Sequence, residues 1–176
     1  MNAIARLVER WKSTGIACPP GVAPADIAAF EDRYHVDLPS DLREYFLTVN
    51  GMDPSDRCDD DLFSFFPLQE VATIAERLPD RCSKFAEASN YFMFADHSIA
   101  LPTYAIRLSS NPDDPNPVAS VYSDFGAIEV EVFFNSFTDF VNHYLDDPRG
   151  TAAALPRNTK RVVDEVIRGA RRDSEW

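Results

Sequence analysis

The chain has 176 residues, 45 % of them apolar and 26 % charged, which suits one domain around one sizeable core and excludes a disordered chain. It carries 29 acidic residues against 17 basic ones, a formal charge of −12. Residues 51–150 hold 18 acids and 6 bases, so the middle of the molecule repels nucleic acid and anionic membrane and attracts a basic partner; the plainer reading is that the excess acid only keeps the protein soluble.

In chain order, Ile4, Leu7, Val8 and Trp11 recur as one stripe of a helix over about residues 3–13. The same segment is amphipathic rather than a signal peptide. Pro24 opens a second helix with Ile27, Phe30 and Tyr34 on its apolar face. After Leu38–Pro39, Ser40 caps or begins a third, with Leu42, Tyr45, Phe46 and Val49 facing inward. Asn50–Gly51 stops it, because both tolerate positive φ. Residues 53–61, DPSDRCDDD, form an acidic loop, and a short strand runs from Leu62 to Phe66. PLQEVATIAERLP then reads as one helix with Leu68, Val71, Ile74, Ala75 and Leu78 on a single face. Strands follow over Tyr91–Ala95, Thr103–Leu108 and Val118–Ser123, the last two joined by the hairpin loop SSNPDDPNP. Ile128, Val130 and Val132 alternate with Glu129 and Glu131, which predicts a strand with one face in the core and an acidic face in water. Ser136 caps a helix with Phe137, Phe140, Val141, Tyr144 and Leu145 buried. Asp146, Pro148 and Gly150 end it, TAAALPRN reads as a linker, and a last helix spans about 158–171. The expected class is α+β: a small, mostly antiparallel sheet with helices packed on one face.

Residue chemistry supplies no catalytic site. His35, His97 and His143 are scattered, and HExxH and finger spacings are absent, so no metal is expected. Cys18, Cys58 and Cys82 are too widely spaced for a disulfide framework and read as reduced cytoplasmic thiols. Contiguous Asp96–His97–Ser98 cannot form a triad, since neighbours on an extended chain point to opposite faces. No nucleophile elbow and no glycine-rich phosphate loop exists. The acidic loop lacks the register of an EF-hand. Glu129 and Glu131, about 7 Å apart along one strand face, suit the solvent side of a strand better than glycosidase work. No run reaches the roughly 20 apolar residues of a membrane span. The chain is expected to be no enzyme, to need no cofactor and to be cytoplasmic.

Residues 25–51, ADIAAFEDRYHVDLPSDLREYFLTVNG, resemble the signature of the SUKH superfamily, which includes a fungal cell-wall-synthesis regulator and many bacterial immunity proteins. Its places are filled by Phe30, Glu31, Leu38, Pro39, Asp41, Leu42, Arg43, Phe46, Leu47, Asn50 and Gly51. Phe92, Phe94, Ala95 and Asp96 resemble its aromatic strand, Tyr104 to Leu108 its next strand, and Ser136, Phe137, Phe140 and Val141 its closing helix. Met52 replaces a second family glycine, and the helix over 158–171 lies outside the pattern. The resemblance implies one SUKH-like domain over 1–150, with 151–176 a linker and C-terminal helix extension.

The resemblance also implies a protein partner. A bacterial immunity protein would neutralise a cognate toxin domain by occlusion. A nuclease-type toxin is basic, because it must hold phosphates. Asp53, Asp56, Asp59, Asp60 and Asp61 are the expected partner-binding residues, with Asp113, Asp114, Glu129 and Glu131 as a second patch. The alternative is an endogenous cytosolic scaffold or regulator. Neither reading involves nucleic acid or membrane as partner.

Overall fold

The computed structural model describes residues 2–53, 55, 58–98, 102–124 and 127–156. Asp56 and the helix expected over 158–171 lie outside the described residues. Helix α1 covers Ala3–Ser13, and Asn2 caps it by accepting from the Ala5 N–H at 2.9 Å. Its stripe Ile4, Leu7 and Trp11 is buried as the spacing predicts. Helix α2 covers Pro24–Tyr34 and helix α3 covers Ser40–Thr48. Pro39, not Ser40, is the residue before α3, and it offers no side-chain cap. The carboxylate of Asp41 takes that place: it accepts from the Leu42 N–H at 2.8 Å and from the Thr138 N–H at 2.8 Å, tying α3 to the start of α5. Helix α5 covers Phe137–Asp146, with the Ser136 hydroxyl accepting from the Asp139 N–H at 3.0 Å.

The sheet has the order β1-β3-β4-β5-β6 and every pairing is antiparallel. Its strands are β1 (Phe63–Phe65), β2 (Ala72–Thr73), β3 (Tyr91–His97), β4 (Thr103–Arg107), β5 (Val118–Asp124) and β6 (Ala127–Phe134). The short β1 and β2 share one side of β3, pairing with its C-terminal and N-terminal halves respectively.

One expectation is overturned between β1 and β3. PLQEVATIAERLP does not form a continuous helix. It divides into a 3-10 turn at Leu68–Glu70, strand β2, and the four-residue helix α4, Ile74–Arg77. Its apolar residues do recur at helical spacing, but Val71 and Ile74 enter different cores. Thr73 enforces the break. Its hydroxyl accepts from the Glu76 N–H at 3.1 Å, while Glu76 accepts from the Thr73 N–H at 3.1 Å. That capping box starts a helix where the periodicity had run through. Pairing of Ala72 with Met93 and Thr73 with Phe92 completes the override.

Alternation along the strands separates the two cores. The larger lies under α1, α2, α3 and α5 and takes Phe63, Phe65, Phe92, Phe94, Tyr104 and Phe134 from the sheet. Most of its rings meet edge-on or tilted, as in Trp11 on Phe65 at 5.0 Å and Phe63 on Tyr144 at 5.0 Å, while Phe63 and Tyr104 stack at 5.9 Å, pairs each worth about 0.5–1.5 kcal/mol beyond burial. The opposite face holds a smaller cluster: Tyr91, Met93, Ala105, Ala119 and Val121, covered by Ile74 and Ala88 with Leu78 and Phe85 beside them. The α+β class and its antiparallel sheet stand, with α1, α2, α3 and α5 on one face and the segment 74–88 closing the other.

The stretch after α5 is not extended. Helix α6, Pro148–Ala152, starts at once, with Asp147 accepting from the Gly150 N–H at 2.9 Å. Thr151 is buried, and its carbonyl accepts from the Tyr104 hydroxyl at 3.0 Å.

Candidate partner-binding surface

The acidic loop runs along the outer side of β1. The Met52 N–H donates to the Phe65 carbonyl and the Asp59 N–H to the Phe63 carbonyl, both at 2.9 Å. The loop therefore covers the hydrogen-bonding edge that β1 would otherwise expose.

Within it the aspartates do different work. Asp59 was expected to face a partner, and the structure corrects that: it is only 6 % exposed. Its carboxylate accepts from the Phe63 N–H at 2.8 Å, the Asp61 N–H at 3.0 Å and the Tyr144 hydroxyl. The same hydroxyl accepts from the Trp11 indole at 3.2 Å, so a buried chain links α1, α5 and the loop. Burial pushes the Asp59 carboxyl above its usual range, against the lowering effect of those three hydrogen bonds. Burial and the neighbouring Asp59 likewise push the Tyr144 phenol up.

Asp61 is half-buried and paired with Arg10 of α1. That guanidinium also lies 5.1 Å over the Tyr144 ring. Asp53 accepts from the Ser55 N–H at 2.8 Å and hydroxyl at 2.6 Å. These bonds hold its carboxyl below the usual range. Asp60 is exposed. Among the described aspartates of the loop, Asp53 and Asp60 face outward, with Asp61 at their margin.

Two features of this edge are invisible in the acidic composition. Leu62 is 49 % exposed and has φ of 67°, a left-handed conformation that L residues with a large side chain rarely adopt. The backbone holds it there, with the Leu62 N–H donating to Asp59 at 3.0 Å and its carbonyl accepting from the Ser98 N–H at 2.9 Å. An exposed leucine thus stands where the acidic loop meets β1. The signal was available in the pattern: Phe63 and Phe65 face the core, so period two puts Leu62 with Ser64 on the other side. The second feature is a cleft of about 200 Å³ lined by Met52, Asp53, Ser64, Phe65, Phe66, Pro67 and Glu70. Its floor is apolar and its rim carries two carboxylates, which suits the stem and head of a lysine or arginine.

The remaining expected residues lie elsewhere. Asp113 and Asp114 sit on the β4–β5 loop, at the opposite end of the strands from Asp60 and Asp61. Asp113 is exposed. Asp114 accepts from the Ser109 hydroxyl and the Asn111 amide, both at 2.9 Å, and faces Arg107 at 3.8 Å. Glu129 and Glu131 are on β6, at the other edge of the sheet. Both are half-buried rather than fully in water. They lie opposite Tyr122 and Ser120, on the side of the large core, while Val130 and Val132 lie opposite Val121 and Ala119 of the small one. Of the described acids, those expected as a second patch, Asp113, Asp114, Glu129 and Glu131, lie apart from the acidic loop and from one another in two groups. Asp53, Asp60 and Asp61 share the β1 edge with the buried Asp59.

Among the described residues no group of three His, Cys, Asp or Glu side chains is placed to hold a metal ion. No helix among them is long and apolar enough to cross a membrane.

Several residues that carry the family resemblance are scaffold. Glu31 accepts from the Leu38 N–H at 2.7 Å and pairs with Arg43, clasping α2 to α3. The Asn50 side chain accepts from the Leu68 N–H at 2.8 Å. Gly51 has φ of 70°, and a Cβ there would stand 2.6 Å from the backbone of Phe66 and Pro67. These are packing requirements without chemistry, so they identify a fold. No curated protein matches the chain. The family model of the SMI1 / KNR4 family (SUKH-1) matches residues 21–143, which spans α2 through most of α5, and the chain belongs to that family.

Proposed function

We propose that this protein is an immunity-type protein that binds a basic, nuclease-type toxin domain and neutralises it by occluding the cleft that holds substrate phosphate. Family membership supports a protein-binding role of the immunity or regulatory kind. The observation that carries the finer reading is the β1 edge: an exposed leucine, Leu62, flanked by Asp60 and Asp61 on a loop clamped from below by Asp59 and Arg10. A rigid apolar anchor within like charge is what a high-affinity contact to a basic surface requires. The long-range charge of −12 steers the encounter, and the short-range anchor slows release. Asp53 and Glu70 around the adjoining cleft receive a lysine or arginine of the partner.

The test is inhibition of purified toxin domains encoded in the gene neighbourhood, measured with binding kinetics at two salt concentrations. The expected result is a one-to-one complex whose association slows with salt. Asp60→Lys lowers the association rate and Leu62→Ala raises the dissociation rate, each by about tenfold. A complex indifferent to both substitutions, or a stoichiometric complex with an unrelated cellular protein instead, would overturn the proposal.

A further inference from the structure

A second pocket adjoins the β1 edge beside α6. It is a hollow of about 320 Å³ lined by Asp61, His97, Pro148, Arg149, Ala152 and Ala153. Three parts of the chain meet there. Asp61 comes from the acidic loop. His97 ends β3 opposite Phe63 of β1, and its imidazole packs against the Phe63 ring at 4.9 Å. The other four come from α6 and its C-terminal end, which the Asp147 cap and the bond from the Tyr104 hydroxyl to the buried Thr151 hold in place.

The charged and polar groups of this pocket are not equally engaged. Asp61 is paired with Arg10. Elsewhere Arg6, Arg33, Arg43 and Arg107 also face carboxylates. Among the described residues, the exposed Arg149 guanidinium and the half-buried His97 imidazole have no hydrogen-bond or ion-pair partner. A guanidinium only donates, through a planar fork that matches a carboxylate, and a ring N–H of His97 adds a donor from the strand side. Pro148, Ala152 and Ala153 give an apolar wall for the methylenes that carry such a carboxylate.

We infer that this pocket receives an acidic side chain of the bound protein, with Arg149 and His97 as its donors. A free anion is the poorer occupant, because a molecule at −12 repels it, whereas a partner seated on the neighbouring acids brings its own positive field. The pocket shares Asp61 with the β1 edge, and the Leu62 carbonyl is bonded to Ser98, next to His97, so one partner reaches both. The acids around Leu62 recognise bases and the pocket recognises an acid. That pairing of opposite preferences fixes the register of the partner and rejects a surface that is only basic. That the partner is a toxin domain rests on the proposed function; the carboxylate pocket does not.

The experiment uses the full chain and a blocked tripeptide with glutamate between two alanines, the same peptide with glutamine, and acetate, followed by the side-chain resonances of His97 and Arg149. The expected result is saturable binding of the glutamate peptide with shifts at both residues. The glutamine peptide and acetate should each bind at least about tenfold more weakly. Arg149→Gln should weaken the glutamate peptide about as much, and Arg149→Lys, which keeps the charge and loses the fork, should fall between. Arg149 is exposed, so both variants should fold. No saturable shift at His97, equal binding of the glutamine peptide, or indifference to Arg149→Gln would overturn the inference. Acetate as strong as the peptide would also overturn it, by assigning the pocket to free anions. A toxin complex sensitive to Asp60→Lys and indifferent to Arg149→Gln removes the pocket from the interface and leaves the occlusion reading standing. Binding of the glutamate peptide without any toxin complex does the reverse.

Discussion

The two edges of this sheet differ in length and in what the described residues place along them. At β1 the strand is three residues long, and the chain folds back so that Met52 and Asp59 satisfy its outer carbonyls. At β6 the strand is eight residues long and carries Val132 and Phe133 in solvent. Covering an edge requires anchors, and the anchors are visible at β1: Gly51 against Phe66, Asn50 on Leu68, Asp59 on Tyr144, Arg10 on Asp61. Nothing comparable holds a segment over β6 among the described residues. A covered edge presents side chains of its cover, here acids and one leucine.

The comparison is broken most severely at Gly51. Gly51→Ala combines a positive φ with a Cβ 2.6 Å from the Phe66 and Pro67 backbone, so the turn that starts the cover cannot form unchanged. The expected loss is about 3 kcal/mol or more, read as a lower denaturant midpoint. Tyr144→Phe comes next. It keeps the ring in the core but removes the donor to Asp59 and the acceptor of Trp11. Leaving a buried carboxylate short of a partner should cost about 1–3 kcal/mol, and exchange should quicken for the amides of Asp61 and Phe63. On β6, Val132→Lys should change stability by less than about 0.5 kcal/mol, because the side chain is half in water already. A large loss there would mean that Val132 is packed under a cover of its own.

The smallest effect is one of pH, and its sign distinguishes two acids near the covered edge. The folded pKa of Asp59 is raised, chiefly by burial. Its contribution to stability is therefore greatest below the unfolded value of about 3.9 and is lost as pH rises through the folded value. Glu76 is the reverse. Burial raises it, but hydrogen bonds from the Tyr34 hydroxyl and from Thr73, with Arg33 nearby, prevail and hold its carboxyl low. Its contribution is present above the unfolded value and is lost as pH falls through the folded one. Measured between neutral pH and pH 4, the stability of Asp59→Asn relative to wild type should fall on acidification. That of Glu76→Gln should rise. Parallel slopes would show that Asp59 is not buried as a carboxyl.

Much of this was legible in residue order. The stripes of α1 and α5, Pro24 at the start of α2 and the aromatic strands all follow from local periodicity and backbone preference, and local rules suffice where one element meets one core; the stop of α3 does not, since it ends at Thr48 with Val49 extended, before Asn50–Gly51. They fail at residues 67–77, because Val71 and Ile74 serve opposite faces of the sheet and a single helical stripe cannot express that. They fail again in the acidic loop. Composition treats its aspartates as equivalent, whereas Asp59 is drawn inside by Tyr144, 85 residues away.

By itself, then, the sequence determined the class of fold, the family and the net charge, since these depend on pattern and composition. Only the tertiary structure decided which of the described acids face water, that Glu129 and Glu131 are remote from the loop, and that the β1 edge is covered. Those properties depend on contacts between residues distant in the chain, and no local pattern encodes them.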